Sequence, residues 1–277
     1  MKTSVIVATY NRPRYLKLSV MSLAAGTILP SEVLIADDGS TSETHDAINE
    51  LRESLRQAFP LIHVRQEHTG CRKQKIVNEA VRQSTGDYLI FIDGDCIVHR
   101  EFMQAHVTMN DPDAILAGQR VQIGKELTED ILAHQLLMNR MTPTMLLDFM
   151  RRKSHHSQES IVVKNALLRK LFRKDRVKSA NSVIGCNCSL YKKLFLDING
   201  YDEDFCGFGD EDADLGVRIL NQGKKITSVR NLAIVFHLYH TGTWSMTTDQ
   251  FKINAEIKRR RIENREAVCR NGISKLD

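Results

Sequence analysis

A chain of 277 residues, 42% hydrophobic and 26% charged, is long enough to bury a sizeable core as one large α/β domain or as one domain with an elaborated second half. Its formal net charge of +5 suits an anionic partner such as a nucleotide, a phosphoglycan or a lipid headgroup surface, and is too modest to select one of them. The first apolar run, Val5 to Ala8, is far too short for a signal-peptide core or a membrane span, so a cytosolic location is expected. Six cysteines without a Cys-x-x-Cys pair are then expected as free thiols, with Cys186 and Cys188 read as packed thiols on a strand rather than zinc ligands.

In chain order, Ser4 to Ala8 reads as a buried strand, and Thr9 to Pro13 as the loop entering a helix that runs to about Ala25. Glu32 to Ala36 is the second strand. It ends in Asp37-Asp38-Gly39-Ser40, where Ser40 and Glu43 have capping-box spacing for a helix through about Ala58. Leu61 to Val64 makes a third strand, Arg72 to Gln83 a third helix, and Gly86 resets the chain before the apolar run Tyr88 to Ile92. That run is rich in β-branched and aromatic residues, as in a strand buried on both faces. The βαβαβαβ period predicts a mostly parallel sheet with right-handed crossovers and helices on both faces.

Ligands of open α/β sheets bind outside the carboxyl ends of the strands, and here that edge carries Asp93-Gly94-Asp95. Gly94 is expected to allow a sharp turn that leaves both acids facing the crevice. Two carboxylates so close repel unless they share a proton, a basic partner or a divalent cation, and hard oxygen ligands suit Mg²⁺ or Mn²⁺. Asp-Gly-Asp is also ordinary turn chemistry. No Gly-x-Gly-x-x-Gly or Gly-Lys-Ser/Thr follows the first strand, which excludes a dinucleotide fingerprint and a P-loop. Instead, three strand ends carry polar groups: Thr9 with Asn11, Asp37 with Asp38, and Asp93 with Asp95. Carboxylates at such a mouth can accept from the imide N–H of a pyrimidine and from ribose hydroxyls while a metal bridges a diphosphate. Asp37 to Ser40 alone reads slightly better as a helix-capping turn; its recurrence with Asp93 to Asp95 favours a ligand.

From about Lys125 to Lys178 the composition shifts to long helical runs such as Thr128 to Arg152 and a basic patch from Leu168 to Lys178. Met138, Met141, Met145 and Met150 have helical spacing and are expected as core filler, and His155 and His156 as solvated residues. A short strand from Asn181 into Cys186 and a helix from Leu190 to Ile198 follow. Gly207-Phe208-Gly209 then precedes four acids, Asp210, Glu211, Asp212 and Asp214, at the start of an apolar-periodic helix that stops at Gly223. A helix N-terminus favours one or two acids through its dipole, and four exceed that need. A carboxylate held there is placed to take a proton from a substrate hydroxyl. Leu232 to Phe236 reads as a strand ending in His237, with His240 close behind, and either imidazole is a candidate metal ligand.

The tail, Gln250 to Arg270, puts Phe251, Ala255, Ile262 and Val268 near one face of a helix crowded with basic residues. Two readings stand. It is a closing helix that packs those apolar residues on the domain, with Glu256 and Arg260 as a helical pair, or it makes weak, salt-sensitive contact with an anionic membrane. Nothing in the chain offers the aromatic stacking platform that nucleic-acid binding needs.

With these pieces assembled, the sequence resembles the inverting, metal-dependent glycosyltransferases of family 2, which have the GT-A fold: a mostly parallel, Rossmann-like sheet flanked by helices, here with a helical insertion. Val5 to Arg12, Asp37 to Ser40 and Gly86 to Asp95 look like that family's nucleotide-sugar half. Gly207 to Asp214 is similar to the Gly-Trp-Gly-x-Glu-Asp stretch of the galactosyltransferase-type half found in bacterial chondroitin-polymerase-like enzymes, with Phe208 where Trp is usual. The resemblance implies a UDP-sugar donor and a glycan or glycolipid acceptor. It assigns nucleotide-sugar contacts to Thr9, Asn11, Asp37, Asp38, Lys75, Asp93, Gly94, Phe208 and Gly209, with Asp37 or Asp38 on the uridine and Asp93 on the ribose. Asp95 would hold Mn²⁺ or Mg²⁺ with His237, and with Asp93 and His240 as further candidates; Glu211 would orient the acceptor and Asp212 act as base. Arg72, Lys73 and Lys75 stand ahead of the Asp93 strand, where they can face the diphosphate or solvent. The implied organisation is a donor half at 1–120, a helical insertion at 121–180, an acceptor half at 181–246 and a basic helix at 247–277, in a cytoplasmic enzyme with at most peripheral membrane contact. A sugar-phosphate nucleotidyltransferase would share the sheet and metal but needs a Gly-rich loop after the first strand, and Thr9 to Pro13 has none.

Overall fold

The structure is a computed structural model that describes residues 1–136, 147, 150–151, 153–172, 175, 177, 179–205, 207, 209–241 and 247–276. The first ninety residues alternate as the apolar runs require: β1 (Thr3–Thr9), α1 (Pro13–Ala24), β2 (Glu32–Asp37), α2 (Ser42–Ser54), β3 (Leu61–Arg65), α3 (Lys73–Gln83) and β4 (Tyr88–Asp93). β1 pairs in parallel with β2 and β4, and β2 with β3. The register sets Thr9 beside Asp37 and Ala8 beside Asp93, so three strands end at one level. The sheet continues through β6 (Ala114–Ala117), β8 (Cys188–Tyr191) and β9 (Lys225–Ser228) in the order β3-β2-β1-β4-β8-β6-β9, with β8 antiparallel to both neighbours. A smaller sheet places β10 (Ile234–His237) between β5 (Cys96–Val98) and β7 (Gln119–Gln122). Asp93-Gly94-Asp95 is thus the crossing from β4 in the large sheet to β5 in the small one, and the pairing of His237 with Cys96 brings the end of β10 to the same place.

Side-chain alternation along the strands feeds two cores. Val5, Val7, Val33, Ile35, Ile90 and Ile92 pack on one face with Leu16, Val20 and Leu23 of α1 and Ile48 and Leu51 of α2. Ile6, Leu34, Ala36, Leu89 and Phe91 pack on the other with Ile76, Val77, Ala80 and Val81 of α3. Full burial of each such side chain contributes about 1.5–3 kcal/mol, so these clusters fix the strand ends that carry the polar residues. α4 (Phe102–Thr108) adds Phe102 and Met103 to the first core, and α5 (Lys125–His134) covers the small sheet with Leu127 and Ile131.

Several expectations give way to tertiary demands. Ser40 does not cap α2: the helix starts at Ser42 with Thr41 at its N-cap and no side-chain cap bond, because the Ser40 hydroxyl serves Asp37 and the Asn11 amide. α2 also ends at Ser54, short of Ala58. Residues 180–182 form a 3₁₀ turn rather than a strand into Cys186, since the partner β4 requires is Cys188–Tyr191; the helix behind it, α7 (Lys192–Asp197), is shortened accordingly. Cys186 therefore precedes the strand, although it and Cys188 are both buried free thiols. The run from Thr128 is broken at Gln135, which caps α5 in the left-handed region at φ 51°. Met138, Met141 and Met145 lie outside the described residues, while Met150 is 72% exposed and is no core filler. His155 and His156 are exposed, as expected. No helix among the described residues is long and apolar enough to cross a membrane.

Behind the large sheet lie α8 (Glu211–Asn221) and α9 (Thr248–Glu263), the latter opened by a capping box of Thr247 and Gln250. α9 packs the opposite way from its apolar pattern. Asn254 and Arg261 are buried, whereas Phe251, Ala255, Ile262 and, beyond the helix, Val268 are exposed. Arg261 goes inward because Asp202 and Asp214 are buried there: its Nε lies 2.8 Å from Asp214 Oδ1, and its Nη2 pairs with Asp202. Asp214 Oδ2 is 2.7 Å from Nε of Arg218, itself fully buried. Glu256 pairs with Arg259 rather than Arg260. Removing one member of a buried ionic set leaves uncompensated charge, so Arg261→Gln is expected to lower unfolding stability by about 3–5 kcal/mol in urea titrations. A loss within 0.5 kcal/mol, the ordinary scale for surface changes (about 0.5 kcal/mol), would show the set to be dispensable.

Candidate active site

A cavity of about 280 Å³ opens at the carboxyl ends of β1, β2 and β4. Its first wall is the loop after β1, where Asn11 and Arg12 both adopt left-handed conformations, φ 56° and 57°, before Pro13 starts α1. Two such residues in succession are strained, a condition that clusters at functional sites. The turn carries the Arg12 guanidinium back to Asp95, with Nη1 3.3 Å from Oδ2, while Nη2 donates to the Thr241 carbonyl. Asn11 is occupied in joining two strand ends: its amide donates to Ser40 Oγ and its Oδ1 accepts from the Thr41 amide. Thr9 lines the cavity, and with Asn11 a smaller one beside it.

At the end of β2 the two aspartates part. Asp37 is fully buried and accepts from the Ser40 amide and hydroxyl and from His63 Nε2 at 2.8 Å. Burial pushes its carboxyl up, and the His63 and Ser40 hydrogen bonds outweigh that, holding it below its ordinary value. Asp37, His45 and His63 form one of two groups among the described residues able to hold a metal, but Asp37 is not on the cavity wall. Asp38 is on it, accepting from Gln66 Nε2 at 2.6 Å and from the Arg72 amide at 3.0 Å.

Gly94 is a glycine for proximity, not for a left-handed turn. A Cβ would sit 3.0 Å from Thr9 Oγ1 and 3.2 Å from the Ala8 carbonyl, to which its own amide donates. Asp93 Oδ1 lies 2.7 Å from Lys73 Nζ. Lys75 is exposed and off the cavity wall, because α3 begins at Lys73 and a residue two further on points about 200° away. Burial disfavours the Lys73 charge, but Asp93, Asp212 and Glu211 together keep the ammonium protonated well above its ordinary range. Lys73 is therefore the cation that three elements share.

Asp95 receives both imidazoles, with His240 Nε2 2.9 Å from Oδ2 and His237 Nε2 3.5 Å from Oδ1. Burial pushes its carboxyl up, and the His240 hydrogen bond with the His237, His240 and Arg12 charges more than reverses this. Asp95, Cys96 and His237 form the other group able to hold a metal. A carboxylate with two imidazoles fits a divalent cation; the Cys96 thiol, kept neutral first by burial and then by Cys186, is a poor candidate ligand.

The Gly-rich turn brings the remaining acids. Gly207, Gly209 and Asp210 have φ of 70°, 99° and 69°, which explains the two glycines. Gln74 donates to the Gly207 carbonyl and Asn254 to that of Gly209, fixing the turn to α3 and α9. Gly209 itself faces Phe251 and is not on the cavity wall, and Phe208 lies outside the described residues. The four acids then separate by partner: Asp210 pairs with Lys258, Asp214 with Arg218 and Arg261, and Glu211 and Asp212 remain with Lys73. Asp212 is held by two donors, the Gly185 amide at 2.7 Å to Oδ2 and the Tyr201 hydroxyl at 3.0 Å to Oδ1. Gly185 leaves no room for more, since a Cβ would lie 2.5 Å from Asp212 Oδ1.

Burial, with the Asp212 charge beside it, pushes Glu211 up to about 8 against the pull of Lys73. An unfolded glutamate ionises near pH ~4.3. Between that pH and about 8 the folded chain holds a proton the unfolded chain has lost, so stability falls as pH rises through the window. Glu211→Gln is accordingly expected to be more stable than the unaltered metal-free protein at pH 8, by about 4–5 kcal/mol, with the difference closing toward pH ~4.5. Melting both proteins across that range checks this, and a pH-independent difference would contradict it.

Arg12, Lys73, Gly185 and Tyr201 are the site residues the sequence did not single out alone. Only Lys73 left a signal, as one of three basic residues ahead of β4.

Comparison with known proteins follows the same lines. The sequence profile of Glycosyl transferase family 2 matches residues 4–189, and that of the N-terminal domain of galactosyltransferase matches residues 168–241. Chondroitin synthase of Escherichia coli is 24% identical over 243 residues, covering 84% of this chain and 34% of that protein. Validoxylamine A glucosyltransferase of Streptomyces hygroscopicus subsp. limoneus is 26% identical over 251 residues, 82% of this chain and 49% of its own. The chain thus spans about a third of the first relative and half of the second. Among solved structures, S. aureus TarS 1–349 in complex with UDP-GlcNAc matches with a TM-score of 0.62 at 19% identity, over 95% of this chain and 67% of that one. GalNAc-T7 with UDP, GalNAc and Mn²⁺ matches with 0.64 at 15% identity, over 99% and 53%. Both have the GT-A fold, as does this chain.

Proposed function

The chain belongs to glycosyl transferase family 2, and on that premise we propose that it transfers a sugar from a UDP-sugar to a hydroxyl of a glycan or glycolipid, with inversion, in surface polysaccharide synthesis. The observation that carries this is the convergence of Asp95, His237 and His240 on the same cavity as Asp38 and Asp93. Asp38 accepts from the pyrimidine imide and Asp93 from the ribose, with Lys73 holding Asp93 in place. Thr9 and Gly94 line the smaller cavity beside the main one, and a Cβ at Gly94 would press on Thr9 Oγ1. Mn²⁺ or Mg²⁺ held by Asp95, His237 and His240 would neutralise charge on the departing diphosphate. Arg12 is placed beside Asp95 to share that charge.

Asp212, off the cavity wall but beside Lys73, which lines it, takes the proton of the acceptor hydroxyl as it attacks the anomeric carbon from the face opposite the leaving UDP. The Gly185 amide and the Tyr201 hydroxyl fix the orientation of its carboxylate. Glu211, which burial and the Asp212 charge keep protonated up to about pH 8, donates to the acceptor and orients it. Residues 1–120 serve the donor, 181–246 the acceptor, 121–180 shape the acceptor side, and 247–277 brace it, in an enzyme working at the cytoplasmic face of a membrane. Support for a glycan acceptor comes from relatives named chondroitin synthase and hyaluronan synthase. The test is metal-dependent UDP release from a panel of UDP-sugars, with and without glycan acceptors. Release from at least one donor that EDTA stops is the expected result, and none from any donor would remove the proposal.

A further inference from the structure

α6 (Ala166–Leu171) is amphipathic in the reverse sense from a helix of a globular core. Asn165 caps it by accepting from the Leu168 amide, and the buried residue on it is Arg169, whose Nη2 donates to the Ser228 carbonyl at 2.7 Å on β9. At about 100° per residue, Leu167, Leu168, Leu171 and Phe172 occupy one arc of about 140°, opposite Arg169 and Lys170. With the arginine drawn inward, that arc faces out: Leu167 is 73% exposed, Leu171 70%, Phe172 61% and Leu168 44%. Such a contiguous apolar face on a soluble surface marks a docking surface.

Charge selects the occupant. Between 164 and 178 the sequence has seven lysines and arginines against one aspartate; Lys164 pairs with Glu101 and Arg169 is turned in to the Ser228 carbonyl, which leaves five to set the charge of this stretch. Exposed apolar side chains within a basic stretch of sequence match a bilayer with anionic headgroups, where leucines enter the acyl boundary and cations meet phosphate. The C-terminal helix is less suited, because Lys258, Arg259 and Arg261 are held by Asp210, by Glu256 and Glu263, and by Asp202 and Asp214. We propose that α6 is a monotopic docking element through which the protein binds an anionic membrane surface. Its biological use rests on the glycolipid or surface-glycan reading above, but the binding itself does not.

The experiment is co-sedimentation of the full chain with phosphatidylcholine vesicles, with and without phosphatidylglycerol, at low and high salt. Binding to the anionic vesicles that weakens with salt is expected, and a fall of about ten-fold or more in partition for Leu167→Ser/Leu171→Ser, side chains whose exposure makes the change tolerable to the fold. Circular dichroism and UDP release, measured on the same samples, separate loss of docking from loss of fold or of catalysis. Arg260→Gln on the tail is expected to bind as the unaltered chain does. Absence of binding to anionic vesicles, or binding unchanged by the leucine substitutions, would overturn the proposal. So would sedimentation velocity showing a dimer that the same substitutions dissociate, since the face would then belong to a second copy.

Discussion

Asp212→Asn is expected to lower kcat by about 10²-fold or more while UDP with a divalent cation binds as tightly as before. The amide keeps the shape of the carboxylate but cannot take the acceptor proton. The amide oxygen of Asn can still accept from the Gly185 amide while its NH2 donates to the Tyr201 hydroxyl oxygen, so the helix start is not disturbed. Calorimetry with UDP and Mn²⁺, alongside single-turnover kinetics, separates the two quantities. A mutant unable to bind UDP would make Asp212 a ligand or a structural residue, and the proposed base would have to be sought elsewhere.

Asp95→Ala carries the other large effect: activity falls by about 10³-fold or more, and high-affinity Mn²⁺ binding is lost with it. The reason is geometric. His237, His240 and Arg12 all converge on that one carboxylate, so its removal leaves three cationic or neutral nitrogen groups with no anion to hold a metal among them. Direct metal titration is the readout that distinguishes this from general damage. Full activity in excess EDTA would show that no metal is needed at all.

The fold was legible where its determinants are local. Apolar runs such as Val5 to Ala8 and Tyr88 to Ile92 carry strand length and burial in themselves, and the acids at their ends followed. Where partners are distant in sequence, local signals misled. Ser40 and Glu43 have capping-box spacing, yet Asp37 and Asn11 claim the hydroxyl. Two residues, about 200° of helix, separate Lys73 from Lys75, and no feature of the sequence fixes which of them faces the cavity. The apolar seam of α9 was visible; Asp202 and Asp214, which draw Arg261 inward, stand 47 or more positions away. Pattern picked out all four acids from Asp210 to Asp214 together, and only the partners of Asp210 and Asp214 show that these two are structural.

The ionic set of Asp214, Arg218 and Arg261 joins α9 to α8 just after Glu211 and Asp212, the acids proposed to serve the acceptor. Local opening in proteins follows cooperative blocks, and a block is defined by the bonds that must break together. Amide hydrogens at the start of α8 should therefore exchange with deuterium at the rate of those in α9, far along the chain, and not at the rate of β4 across the cavity. Protection of β4 would persist while the start of α8 breathes, and in the proposed reaction that difference would let a bound nucleotide stay in place while one acceptor leaves and the next arrives.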